Sequence, residues 1–151
     1  MINRFEEILQ LLGQSLNLPL QVDANNACAI QIKQNLIVQL QPDPSQEKLL
    51  IGCQIIQVPP GKFRENVLKE ALKANGLPDP RVGIFAYIAR NNTLFLFQEY
   101  PFDLLTNGER IASLIGPIFK TAESWKSAIE SGQAGPPSSP LLPSSPMGFI
   151  Q

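Results

Sequence analysis

The sequence has no histidine, only two cysteines, and charge on only 17% of its residues. Without histidine, the commonest general base and metal ligand is missing, and Ser-His-Asp and Cys-His arrangements are impossible. No P-loop, no GxGxxG fingerprint and no CxxC pair occurs. The carboxylates are scattered. Glu6, Glu7, Glu65 and Glu70 fall on polar faces of expected helices, and Asp43 and Asp79 sit beside prolines in turns. A site assembled from distant carboxylates stays open, but no spacing marks one, and the reading is not an enzyme and no cofactor. A net charge of −1 supplies no basic field for nucleic acid or anionic lipid. No apolar run approaches the roughly 18 residues of a membrane span. The opening stretch MINRFEEILQLLG carries two glutamates at helical periodicity and does not read as a signal peptide. Cys28 and Cys53 share the parity of their apolar neighbours. They read as small buried hydrophobes in a reducing cytosol, with a disulfide or redox role as the alternative.

What is present is apolar residue and glutamine. The 151 residues predict one domain, and 44% of them are hydrophobic. Glutamine replaces much of the missing charge between Gln10 and Gln57. Ile2, Phe5, Ile8, Leu9, Leu12 and Leu16 recur at the helical period and predict a first helix over 2–16. Pro19 then forces an extended connection.

The stretch IQIKQNLIVQLQ (30–41) alternates as strands do, and Ile37 breaks the alternation. Strands are expected over 27–32 and 36–41. A two-residue loop would pair Ile32 with Ile37 and Ile30 with Gln39, mixing the faces. A three-residue loop, Lys33-Gln34-Asn35, pairs Ile32 with Leu36, Ile30 with Val38 and Cys28 with Leu40, with Asn35 in the left-handed region. Ile37 is then left on a glutamine face with Gln31, Gln39 and Gln41.

A third strand over 48–58 follows the turn PDPSQE, with Leu49, Ile51, Cys53 and Ile55 on one face. Its other face carries Leu50, Gly52, Gln54, Ile56 and Val58. A second helix over 62–75 should end at Asn75-Gly76 as a C-cap. VGIFAYIA (82–89) and TLFLFQEY (93–100) are apolar on both faces, as strands covered on both sides are. A third helix begins near Thr106, with Thr106 and Glu109 as a capping box, and Gly116-Pro117 is positioned to kink or split it. The order α-β-β-β-α-β-β-α defines an α+β fold with an antiparallel sheet. Residues 1–131 are expected to form the domain. Residues 132–151, rich in proline and serine and free of charge, read as a flexible tail with three PxxP repeats between Pro137 and Pro146.

Apolar surface exceeds what one small core uses. The first helix, the uncharged face with Ile37, Leu50 and Ile56, and the wide apolar stripe of the second helix all contribute. Such excess points to a partner chain, unless the helices of the same chain cover these faces.

Several stretches together resemble the class I chaperones of bacterial type III secretion systems. FEEILQLLGQSLNLPLQVD resembles the opening helix and the Leu-Pro-Leu segment, and ACAIQIKQNLIVQLQ the first hairpin. LLIGCQIIQVPPGKFRENVLKEALKANG resembles the third strand and central helix. GIFAYIARNNTLFLFQEYPFDLL resembles the late hairpin, and AESWKSAI, with Glu123 and Trp125, the final helix. The likeness spans about residues 2–130. It implies a chaperone of the bacterial cytoplasm that binds the N-terminal region of a secreted effector in extended form and keeps it soluble. It implies a homodimer, or a heterodimer as the regulatory partner of a related chaperone, and no nucleic acid, membrane or nucleotide. Cargo contacts would map to Ile2, Phe5, Leu9, Leu18, Leu20, Val22, Ile37, Leu50 and Ile56. Dimer contacts would map to Val67, Leu68, Ala71, Leu72, Val82 and Ile84.

Overall fold

A computed structural model describes residues 3–33, 36–78 and 82–137. The elements run α1 (Arg4–Leu16), β1 (Cys28–Lys33), β2 (Leu36–Pro42), β3 (Lys48–Gln57), α2 (Lys62–Asn75), β4 (Ile84–Ile88), β5 (Thr93–Pro101) and α3 (Gly108–Glu130). A single 3-10 turn covers Phe102–Leu104. The order is the expected one, and the five strands form one antiparallel sheet in the order β1-β2-β3-β5-β4.

Local signals set the helix ends. The Asn3 side chain accepts from the Glu6 N–H at 2.8 Å, and Glu6 accepts from the Asn3 N–H at 3.1 Å, a reciprocal capping box. At the other end Asn17 takes φ 56°, and the Leu18 N–H reaches Gly13 O at 2.9 Å. The cap of α3 is Asn107 rather than Thr106. Its side chain accepts from the Arg110 N–H at 2.8 Å. Gly116-Pro117 neither splits nor ends α3, which is continuous from Gly108 to Glu130. Pro117 and Ser113, whose carbonyl loses its intrahelical donor, are both exposed, so the unpaired group lies on the wet side. Gly76 keeps φ −85°, so the end of α2 does not use glycine's left-handed freedom.

The first hairpin combines two of the expected features. Cys28 pairs with Leu40 and Ile30 with Val38, as parity demands. Ile32 does not pair with Leu36. Lys33 does, because the register shifts between Gln31 and Lys33. A bulge at Ile32 takes up the odd residue, so a short connection and a matched core coexist. Ile32 is 41% exposed as a result. The connecting residues Gln34 and Asn35, and with them the left-handed Asn35, lie outside the described residues.

One sheet face makes the core. The row Ile30–Val38–Cys53–Leu96–Phe85 runs across all five strands. Every member of it is buried. Helices α1 and α3 cover this face and pack on each other, while α2 flanks the outer strand β4. Trp125 of α3 meets Phe85 of β4 at 4.5 Å between ring centroids. The α1–α3 crossing is tight at Gly108, where a Cβ would lie 2.2 Å from Leu11 O. Past α3, Gly132 turns left-handed at φ 89°. The Gly132 and Gln133 N–H groups return to Ile129 O and Ala128 O, which places Gly135 against Trp125. The expected domain boundary at 131 falls inside this cap, and residues 138–151 lie outside the described residues.

Candidate binding surfaces

Among the described residues, no group of three or more His, Cys, Asp or Glu side chains is placed to hold a metal ion. Both cysteines are free and buried. Burial pushes the Cys53 thiol up to about 11, opposed by the Lys126 charge, and burial likewise raises Cys28. Both thiols are therefore protonated near neutrality and poor nucleophiles. Among the described residues, three places offer contact surface.

The first is a groove at the end of α1. Leu9 forms its floor, and Leu18, Pro19 and Leu20 form a wall around a cavity of about 630 Å³ edged by Gln10 and Gln14. Gly13 permits this wall, since a Cβ there would lie 2.7 Å from Leu18 O. Leu18 is 49% exposed, and Leu20 and Val22 are half-buried. Phe5 and Leu9, expected to touch cargo, are instead 0% and 2% exposed, because the apolar stripe of α1 is consumed by the chain's own core. Leu9 reaches the groove only through its floor. Ile2 lies outside the described residues.

The second is the open face of the sheet, opposite α1 and α3. Register places Ala29, Gln39, Gly52, Phe97 and Ile84 in one row across it. Gln54, Phe95 and Ala86 follow in the next, and Gln41, Leu50 and Glu99 flank on the other side. The β1–β2 half carries amides, and the β5–β4 half carries aromatic and aliphatic groups. Ile37, Gln39, Gln54 and Ile56 line a cavity of about 420 Å³ with Ala29 and Thr93. Ile37 is 48% exposed, while Leu50 and Ile56 are half-buried. The Phe95 ring lies over Gly52, where a Cβ would come within 2.4 Å of it, and Phe95 stacks with Phe97 at 6.0 Å.

The third lies between α2 and β4. Leu68, Ala71, Leu72, Phe85 and Tyr87 line a cavity of about 230 Å³. Leu72 is 70% exposed and Leu68 half-buried. Val67 and Ala71, expected at a dimer interface, are 0% and 4% exposed and belong to the core. Ile84 lies on the open sheet face rather than in this cavity, and Val82 is at the surface just before β4.

The predicted residues thus separate into surfaces instead of forming one site. Sequence reasoning did not select Gly52, Phe95, Phe97, Ala86, Asn75 or Tyr87. The signal for the two phenylalanines was the apolar residue on both faces of the fifth strand. For Asn75 no periodic signal existed.

The sequence profile of the Tir chaperone protein (CesT) family matches residues 7–126. The chain therefore belongs to the Tir chaperone protein family. No curated protein is significantly similar to it in sequence. Solved structures share the fold. The type III secretion chaperone SycH of Yersinia pestis, in complex with a stable fragment of YscM2, is 18% identical with a TM-score of 0.61. The match covers 78% of this chain and 96% of that one. The ExsC–ExsE complex gives 16% identity and a TM-score of 0.63 over 90% and 96%. The ExoT–SpcS complex of Pseudomonas aeruginosa gives 17% and 0.60 over 82% and 97%. No helix among the described residues is long and apolar enough to cross a membrane.

Proposed function

We propose that this chain is a cytosolic type III secretion chaperone that holds the N-terminal region of a secreted effector in extended form. The carrying observation is the sheet face that no helix among the described residues covers. A sheet in water ordinarily exposes charge on its free face, and this one exposes Ile37, Ile56, Phe95 and Phe97 among glutamines. An extended segment offers apolar side chains at alternate positions, which suits such a surface. Glutamine costs less to desolvate than lysine or glutamate, so the rows through Gln39 and Gln54 can be covered without stranding a charge, while Glu99 lies at the margin of the face. The similar solved structures hold a chaperone beside a YscM2 fragment, and complexes of ExoT with SpcS and of HopA1 with SchA. Two copies of the chain would associate through Leu68 and Leu72 on α2. Ile37, Leu50 and Ile56, with Leu18, Leu20 and Val22 near α1, would receive the effector. Neither role uses a nucleotide or a metal.

The test is affinity capture from the native cytosol followed by mass spectrometry, with Ile37→Asp as the paired variant. The expected recovery is a secreted protein whose N-terminal segment is protected from protease, lost with Ile37→Asp at unchanged melting temperature. Recovery of only a related chaperone at one-to-one ratio would make the chain a regulatory subunit. Capture indifferent to Ile37→Asp would remove the sheet face from the site.

A further inference from the structure

The strand β4 is an edge of the sheet, and edge strands carry backbone groups that recruit other strands. At Phe85 those groups are occupied. The Asn75 side chain accepts from the Phe85 N–H at 2.7 Å and donates to the Phe85 carbonyl at 2.9 Å. Both bonds of one residue go to one amide, as they would to a residue on a neighbouring strand. Asn75 is the last residue of α2, and the chain turns at Gly76 without a left-handed cap. The end of the helix is therefore aimed at the strand, and the amide of Asn75 takes the place of a sixth strand.

We infer that Asn75 is an edge lock: it ties α2 to β4 and denies the β4 edge to an added chain. The need follows from composition. Phe85 lies in a strand, IFAYI, with no charge and no proline, the two devices that usually blunt an edge. Ile84 pairs with Phe97 and Ala86 with Phe95, so both neighbours of Phe85 belong to the aromatic half of the sheet. Tyr87 has the same parity as Phe85, so its N–H and carbonyl point to the same outer side. With Asn75 removed, the strand presents a continuous apolar edge. The lock does not depend on the export reading and stands or falls without any effector.

Two variants of the full chain test it. Asn75→Leu removes both hydrogen bonds at similar volume. Amide exchange at Phe85, followed by NMR, should accelerate by roughly 10- to 100-fold, the range expected for two lost neutral hydrogen bonds. Sedimentation should show new oligomers that grow with concentration. Adding Tyr87→Pro, which deletes the next edge donor, should suppress them. Asn75→Asp keeps the acceptor for the Phe85 N–H but sets a carboxylate against the Phe85 carbonyl. Its Phe85 protection factor should be low at neutral pH and recover as the new carboxyl is protonated, because the acid form can donate again. This second variant reads the lock even if Asn75→Leu fails to fold. Unchanged protection at Phe85 in both variants overturns the inference, and so do oligomers indifferent to Tyr87→Pro.

Discussion

Truncating Leu72 to alanine separates folding from association. In the lone chain Leu72 is 70% exposed, so the change should leave folding stability within about 0.5 kcal/mol. Full burial of a leucine side chain stabilises by about 1.5–3 kcal/mol. The 70% still open to water corresponds to about 1–2 kcal/mol of that. In the proposed dimer a twofold interface uses the same patch on both subunits. The loss then doubles to about 2–4 kcal/mol, or roughly 30- to 1,000-fold in the dimer Kd. Light scattering or sedimentation equilibrium over a dilution series reads the Kd, and thermal unfolding at high dilution controls for folding. A Kd equal to that of the natural chain would refute the placement of the interface on the outer face of α2. A fall in melting temperature without a change in Kd would show that Leu72 serves the fold instead.

The remaining predictions concern folding. Gly108→Ala places a Cβ 2.2 Å from Leu11 O and 2.7 Å from the Ser15 Cβ, so α1 and α3 must separate. The expected cost is about 1–3 kcal/mol, seen as a drop in Tm of roughly 2–4 °C per kcal/mol. Gly116→Ala in the same helix meets no neighbouring element within 4 Å, and the Pro117 ring beside it offsets the usual gain over glycine, so its effect should stay within about 0.5 kcal/mol; equal losses at the two glycines would refute the crossing argument. Asp43 holds the β2–β3 turn, accepting from the Ser45 hydroxyl at 2.6 Å and from the Glu47 and Lys48 N–H groups at 2.9 Å each. The Ser45 hydrogen bond first, and the Lys48 backbone bond next, hold its carboxyl below the ordinary 3.8. A depressed carboxyl stabilises the fold fully above its unfolded-state value and loses that contribution as pH falls through the folded one. Urea unfolding of Asp43→Asn should therefore be less pH-dependent than that of the natural chain below about pH 4, and parallel pH curves would contradict it.

Strand parity made the core legible. Cys28 against Leu40 and Ile30 against Val38 follow from alternation alone, because a slip by one residue would turn every side chain to the wrong face. Parity could not reveal the bulge at Ile32, since a bulge is a local break in the very period being counted. The cap of α3 moved by one residue, from Thr106 to Asn107, because both residues are competent caps and the close seat of Gly108 on α1 decides between them. Phe5, Leu9, Val67 and Ala71 carried the right character for an interface. A periodic stripe records that a residue is apolar and not which chain covers it.

The amino-acid sequence by itself determined the order of elements and the apolar core face, since these depend on residue type and short-range period. Tertiary structure alone decided which apolar residues remain exposed, that Phe95 and Phe97 share a face with Ile37, and that Asn75 meets Phe85. Those pairings join residues far apart in the chain, and only the packed sheet and helices fix their distances.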